Sequence, residues 1–435
     1  MTDSDEALLD QVQRAAFSYF TDYVNPVNGL VADTSREGAP ASIAVAGFAL
    51  SCYPVAVERG WMSRADALAR TLAALRFFRH SEQSKQRDAT GWEGFYYHFL
   101  DMKRGRRTWK SELSVMDTAL LIAGVLCAAA YFGEDTPDER ELRDHAVALY
   151  RRVNWRWAHG NKPTTRQGWT PESGFLHYGW DGYDEAAILY VLGLASPTHA
   201  MASDSYHAWT AKYEWKTVYD IDYLYAGPLF IHQFSHAWID FAGIQDHFMR
   251  EKGIDYFENS RRATLIHREY ATRNPDGFAG YGPDCWGLTA NDGPGFKTEV
   301  VGGQKRRFMG YAARGAPFGP DDGTIGPGAA LASIPFAPDE TLAVLRHFRD
   351  RYPDMIRDWR LPGGFNPSLP GPGPAGWVAD ACFGLDQGLA VMMIENFRTG
   401  LIWRLMKTSP RIRPGLRLAG FTGGWVQAPR AAPAH

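Results

Sequence analysis

Apolar positions recur at helical spacing in twelve segments of the chain, at 5–22, 42–59, 63–80, 115–132, 137–153, 183–194, 204–213, 233–250, 253–273, 326–334, 338–350 and 384–407. Residues three and four apart share one helix face, so this period predicts about a dozen helices. Start signals agree at several of them: Ser63 precedes Arg64-Ala65-Asp66, Thr136 precedes Pro137, and Pro338-Asp339-Glu340 opens the segment 338–350. Strand-like alternation is confined to short hairpins within loops. The helices also alternate in character. Segments 42–59, 115–130 and 326–334 are apolar all round and rich in Ala and Gly, whereas 63–80, 137–153 and 338–350 carry Arg and Glu on one face. A helix apolar all round belongs in an interior and an amphipathic one on a surface. An inner ring of helices enclosed by an outer ring follows. Inner-to-outer links are short, while the returns at 81–113, 154–181, 274–325 and 351–383 are long and hold most of the Gly, Pro and Trp. Long structured loops in a compact domain are usually functional. The expected architecture is an all-α (α/α)6 toroid with one loop-decorated rim; a multi-helix solenoid is the alternative.

Composition narrows the partners. No linker or charge block divides the 435 residues, so one domain over 1–435 is expected, with its core at about 10–408. The 46 basic and 49 acidic residues leave a net charge of −3, which argues against nucleic acid and an anionic membrane surface and favours a neutral ligand. Cys52, Cys127, Cys285 and Cys382 are widely spaced without CxxC, so neither a disulfide nor a cysteine metal site is expected. The start Met1-Thr2-Asp3-Ser4-Asp5-Glu6 has no basic or apolar signal region. A cytoplasmic monomer is expected from the sequence as it stands, periplasmic or secreted if a signal has been removed.

One construction occurs three times: a loop, then an acid at the entrance of an apolar helix. It is seen at Ser114-Val115-Met116-Asp117, at Asp181-Gly182-Tyr183-Asp184-Glu185 and at Asp386-Gln387-Gly388. Each can be read as helix capping, since Ser and Asp satisfy free N–H groups at a helix start. Repetition around a ring of helices points instead to carboxylates that converge on one pocket. In the second instance Asp181 is expected to cap and Asp184 to serve the first turn, which leaves Glu185 without a structural task. Neighbouring carboxylates raise one another's proton affinity, as a general acid needs. Asp117 and Glu112 are the other candidates for chemistry, with Asp386 as the third instance. Aromatic loops supply candidate sugar-binding groups: Trp92 and His98 in Trp92–His98, Trp180 and Tyr183, Gln233, and Trp286 with Asp292 in Tyr281–Gly293. His232 and His236 stand at i and i+4, but no acid at suitable spacing completes a metal site, and no metal or cofactor is expected. Arg398 and Arg404 near Glu395 read as an ion-paired helix.

Gly94–His98, Glu112–Gly124, Gly179–Glu185, Ala226–Phe230 with Ser235–Gly243, Cys285–Ala290, Asp322–Ile325 and Glu395–Leu401 together resemble the glucoamylase-like bacterial hydrolases of glycoside hydrolase family 144, the β-1,2-glucanases. The insert 154–170 and the Pro/Gly run 362–376 match no segment of that family. The resemblance implies an (α/α)6 barrel, metal-free hydrolysis and an acidic cleft for β-1,2-linked glucose chains. The expected activity is inverting hydrolysis of β-1,2-glucan or its oligosaccharides, with Glu185 as acid, Asp117 as base or part of a water relay, and Glu112 and Asp386 holding the sugar. The alternatives are an exo-acting hydrolase on another glucan, a polysaccharide lyase or epimerase on the same toroid, and a non-catalytic sugar-binding toroid.

Overall fold

The structure, a computed structural model, describes residues 2–427; Met1 and residues 428–435 of the expected span lie outside the described residues. Fourteen α-helices are present among them: α1 Asp3–Asp22, α2 Ile43–Glu58, α3 Arg64–His80, α4 Val115–Tyr131, α5 Pro137–Arg152, α6 Ala187–Leu194, α7 Ser205–Thr210, α8 His247–Lys252, α9 Tyr256–Arg273, α10 Pro327–Ala332, α11 Pro338–Arg351, α12 Gly384–Arg398, α13 Leu401–Thr408 and α14 Ile412–Leu418. None is long and apolar enough to cross a membrane.

The two helix characters sort as their patterns require. Every residue of α2 from Ile43 to Ala56 is buried, and α4 is buried on all sides from Thr118 to Ala128, while α5 and α11 bury one stripe and expose most of their charges, Glu139 of α5 being buried against Arg64. The buried helices pack in succession: α12 against α2, α2 against α4, α4 against α6, and α10 against α12. In space the gap between α6 and α10 is filled by two 3-10 turns, Leu229–His232 and Ser235–Ala237. Ser235 Oγ receives the Ile188 N–H of α6 at 3.1 Å, and Gln233 Nε2 donates to Ala329 O of α10 at 2.8 Å. The amphipathic helices lie against this succession, α1 on α12, α3 on α2, α5 on α4, α11 on α10 and α9 on the first 3-10 turn. The tightest contact is α2 on α4. A Cβ on Gly124 would meet Gly47 O at 2.0 Å and one on Gly47 would meet Leu120 O at 2.4 Å, so these helices touch backbone to backbone.

Three expected helices differ. Segment 233–250 holds only the turn Ser235–Ala237 and the start of α8, because Trp238 and His236 are drawn into the core and Gly243, at φ 74°, interrupts a helical path before α8. Segment 384–407 breaks at Gly400, φ 67°, into α12 and α13. The apolar run at 183–194 becomes helical only at Ala187, and α14 was not expected. Arg398 pairs with Glu6 and Asp10 of α1, and Glu395 with Arg59 of α2, so these ion pairs tie helices together instead of running along one. The four cysteines are free. The long returns carry short antiparallel strands, including a five-stranded sheet in the order Gly91–Trp92, Phe95–Tyr97, Leu113–Ser114, Gly168–Thr170, Gly174–Phe175. The return 274–325 is pinned by a fully buried bidentate pair: Arg314 donates to Asp322 at 2.7 and 2.8 Å and to Asn291 Oδ1 at 2.9 Å.

Candidate active site

A cavity of about 320 Å³ opens where the long returns meet the first turns of α4 and α12. Each return contributes to its wall: His98 and Glu112 from the first, Gln167 and Trp180 from the second, Thr289 and Tyr311 from the third, Phe383 from the fourth. Glu112, Asp117, Glu185 and Asp386, which come from distant parts of the sequence, line it together.

Local structure places each acid. Ser114 caps α4 by accepting the Asp117 N–H at 3.1 Å, and its hydroxyl donates to the Asp117 carboxylate. Asp117 is thereby held in the first turn with its carboxylate at the cavity. At α6 no side chain of the preceding loop caps the helix. Ser235 takes that part from another segment, accepting the Ile188 N–H and donating to Glu185 O at 2.8 Å. The backbone of Glu185 is fixed by this bond while its side chain faces the cavity. Asp184 accepts from the Ala186 N–H at 3.0 Å, just ahead of the helix, and from Trp209 Nε1 at 2.9 Å, so it braces the entrance of α6 and not the first turn expected of it. Asp181 does not cap; it pairs with Lys212. Asp386 sits in the first turn of α12, where Gly328 leaves room for it.

The carboxylates differ in proton affinity. Burial, then the adjacent Asp184 and more distant Asp117, raises Glu185 far above the usual glutamate range. Burial and the nearby Asp33 raise Asp386 to about 7. Glu112 moves the other way: burial would raise it, but the hydrogen bond and charge of His98 outweigh burial and lower it. His98 lies between two carboxylates, Nδ1 2.9 Å from Glu112 and Nε2 3.5 Å from Asp117. Burial alone would lower its proton affinity, yet the charges of Asp117 and Glu112 prevail and lift it to about 9. It is therefore an imidazolium at neutral pH. The ligand atoms of His98, Glu112 and Asp117 lie within 4.8 Å of one another, a spacing compatible with a small cation, but both ring nitrogens of His98 are turned to carboxylates as donors. His232 and His236 form no metal pair; they are buried, His232 Nε2 facing Ala226 O at 3.2 Å and His236 Nε2 facing Ser260 Oγ at 3.0 Å.

Of the residues expected to hold sugar, His98, Trp180 and Gln233 line the cavity. Trp286 does not: it is 1% exposed and forms part of the main core. Its place in the loop Tyr281–Gly293 suggested a platform, but Gly287, at φ 130°, lets the chain pack against α10 and the indole turns inward. Tyr183 packs between His232, Tyr213 and Tyr256 instead of facing the cavity. Asp292 is taken by Arg36, and Trp92 lies outside the cavity wall under Lys85. Sequence reasoning missed Asp33, raised to about 6 chiefly by burial, and Tyr311, 59% exposed and packed on Phe383 at 5.9 Å. Neither stands at a helix entrance or in an aromatic run, so the pattern that found the other acids passed over them. The aromatic wall is completed by Phe230 and Phe234, whose rings lie 5.2 Å apart.

Residues 177–410 match the family model described as "Putative glucoamylase". A curated relative from Parabacteroides distasonis, an exo beta-1,2-glucooligosaccharide sophorohydrolase (non-reducing end), is 26% identical over 453 residues; the match covers 95% of this chain but 58% of that protein. The crystal structure of a "putative glucoamylase" from Bacteroides uniformis superposes with a TM-score of 0.86 at 31% identity, covering 98% of this chain and 100% of the other. The endo-beta-1,2-glucanase from Chitinophaga pinensis, in complex with sophorotriose and glucose, superposes with a TM-score of 0.82 at 27% identity, covering 98% and 100%. A family match over more than half of the chain and an end-to-end relative above 30% identity lead to one conclusion: the chain belongs to the glucoamylase-like family, glycoside hydrolase family 144.

Proposed function

We propose that the protein is a glycoside hydrolase that cleaves β-1,2-glucan or its oligosaccharides by inversion, in one (α/α)6 catalytic domain. The closed succession α2, α4, α6, the two 3-10 turns, α10 and α12, with α3, α5, α14, α9, α11 and α1 packed against its members in turn, supports the toroid. The observation that carries the function is the set of four carboxylates in one cavity, one of them raised by burial while another lies beside an imidazolium. Inversion needs a protonated acid at the leaving oxygen and an ionised carboxylate that activates water, separated by roughly 6.5–9.5 Å. Glu185 suits the first task because its surroundings keep the proton on it at neutral pH. Asp117 suits the second because its carboxylate accepts from the Ser114 hydroxyl and lies 3.5 Å from the His98 ring, which together fix it at the cavity. As the glycosidic bond breaks, Glu185 gives its proton to the departing oxygen. Water attacks from the opposite face and loses its proton to Asp117, directly or through a relay.

Glu112, Asp386, Trp180 and Gln233 hold the sugar in this reading. Trp180 Nε1 and Gln233 Oε1 are buried without a hydrogen-bond partner among the described residues, and both residues belong to the cavity wall. Buried polar atoms are rarely left so unless a ligand or water completes them. The linkage follows the relatives named for β-1,2-glucan. A monomer suffices for this site. The test is incubation with β-1,2-, β-1,3-, β-1,4- and α-1,4-glucans with sizing of the products. Release of short oligosaccharides from the β-1,2-glucan alone is expected; release from starch instead would reject the linkage, and unsaturated products would reject hydrolysis.

A further inference from the structure

Trp109 has no place in the cavity just described, and its surroundings are unusual. Its side chain is 67% exposed, in a chain where four other tryptophans rank among the largest fully buried side chains. It and Lys110 both adopt left-handed backbone, at φ 56° and 52°. Such conformations are costly for a bulky residue and persist only where the surroundings impose them. Here the agent is Arg107, whose side chain is 3% exposed and clamped to Glu172 through two bonds of 2.9 Å. Its guanidinium donates to Lys110 O at 2.8 Å and to Ser111 O, which fixes the turn. A buried arginine thus holds a strained turn that displays an indole to solvent. Burial of the indole does not explain this arrangement, since most of the ring gains nothing from folding.

Trp109 forms one wall of a groove of about 580 Å³, whose other walls include Tyr23, Ser35, Arg36, Asp101 and Thr108. The groove adjoins the catalytic cavity. The His98 ring stacks on Phe99 at 4.0 Å, and Phe99 meets Trp109 at 5.1 Å, so two ring contacts lead from the acids to the exposed indole. On the other side Thr34 pairs with Phe383 of the cavity wall, and Arg36 reaches Asp292 and Asp380. The groove is therefore formed in advance from anchored loops. A flat aromatic face beside hydroxyl, carboxylate and guanidinium groups is the composition that takes a neutral sugar: the ring stacks its C–H face and the polar groups bond its hydroxyls.

We propose that this groove is an outer binding site, with Trp109 as its platform, for glucose units of a β-1,2-glucan chain whose scissile bond lies in the catalytic cavity. The inference rests on the function proposed above. It is tested by steady-state kinetics of the wild type, Trp109→Ala and Trp109→Phe on two substrates, β-1,2-glucan polymer and sophorotriose, with melting temperatures alongside. For Trp109→Ala, kcat/KM on the polymer should fall about tenfold, equivalent to about 1.4 kcal/mol. Its kcat/KM on sophorotriose and its melting temperature should stay at the wild-type values, and Trp109→Phe should recover most of the loss. An unchanged polymer rate would overturn the groove while leaving the catalytic reading intact, as would equal losses on both substrates. A wild type inactive on both substrates would overturn the catalytic reading and the groove with it.

Discussion

Glu185 and Asp117 both sit at helix entrances, yet they meet different neighbours. A helix N-terminus favours the ionised form of an acid by roughly 0.3–1 kcal/mol, which for Glu185 is outweighed by burial and by Asp184. Asp117 instead has the His98 cation and the Ser114 hydroxyl beside it. Glu185→Gln and Asp117→Asn should each lower kcat on glucan by about 10²–10⁴-fold with binding retained, as is typical of general acid–base groups. Residual activity above a tenth of normal would show that the residue binds or caps instead. In the proposed reaction the acid must be protonated to act, so activity should be lost as pH rises through the raised proton affinity of Glu185. The alkaline limb of kcat/KM should therefore lie well above the range of an ordinary glutamate. Trp286 makes the opposite case. Because it is buried in the core, Trp286→Ala should destabilise the protein by about 3–5 kcal/mol, read as a large fall in melting temperature, while the folded fraction keeps near-normal KM.

Among the elements, those with a strong local cause were legible in the sequence. Ser63, Ser114 and Thr136 cap α3, α4 and α5 where their spacing placed them, because capping depends on residues within one turn. The segment 233–250 was misread because its apolar residues satisfy a helical period while serving separate neighbours: Trp238 bonds Ser51 of α2, and Ser235 completes α6. Such obligations come from tertiary contacts that periodicity does not record. The same reason explains the site. Asp117, Glu185 and Asp386 share a local pattern and line one cavity, whereas Tyr311 reaches that cavity, and Asp33 the neighbourhood of its acids, only through the fold. The seam between α2 and α4 offers a test at this scale. In an isolated helix Gly→Ala gains about 1 kcal/mol, but at Gly124 the added Cβ would lie 2.0 Å from Gly47 O. Overpacking costs typically 1–3 kcal/mol, and backbone on both sides leaves little room to relax. Gly124→Ala should therefore lower stability in chemical denaturation, and an increase would show that the helices can part freely.

For the molecule as a whole, the acidic cavity places a cost on stability that follows pH. Asp386, raised to about 7 in the folded protein, has an unfolded value near 3.9. Between those values the folded state binds the extra proton, so its stability contribution is greatest at low pH and is lost as pH rises through 7. Asp386→Asn removes that loss. The variant should gain on the order of 1–2 kcal/mol over the wild type at pH 8 relative to pH 5, a figure kept low because the carboxylate faces an open cavity. A gain equal at both values would contradict the protonation assigned to Asp386.

In the reaction proposed above, acids from separate segments of the chain act on a single bond. Its most direct test is the anomeric form of the product first released from β-1,2-glucan, followed by proton NMR before mutarotation equilibrates it. Inversion of a β-linkage by Glu185 and Asp117 predicts that new reducing ends appear as the α-anomer. Initial release of the β-anomer would show a retaining route through a covalent intermediate, and the absence of new reducing ends would contradict the hydrolysis itself.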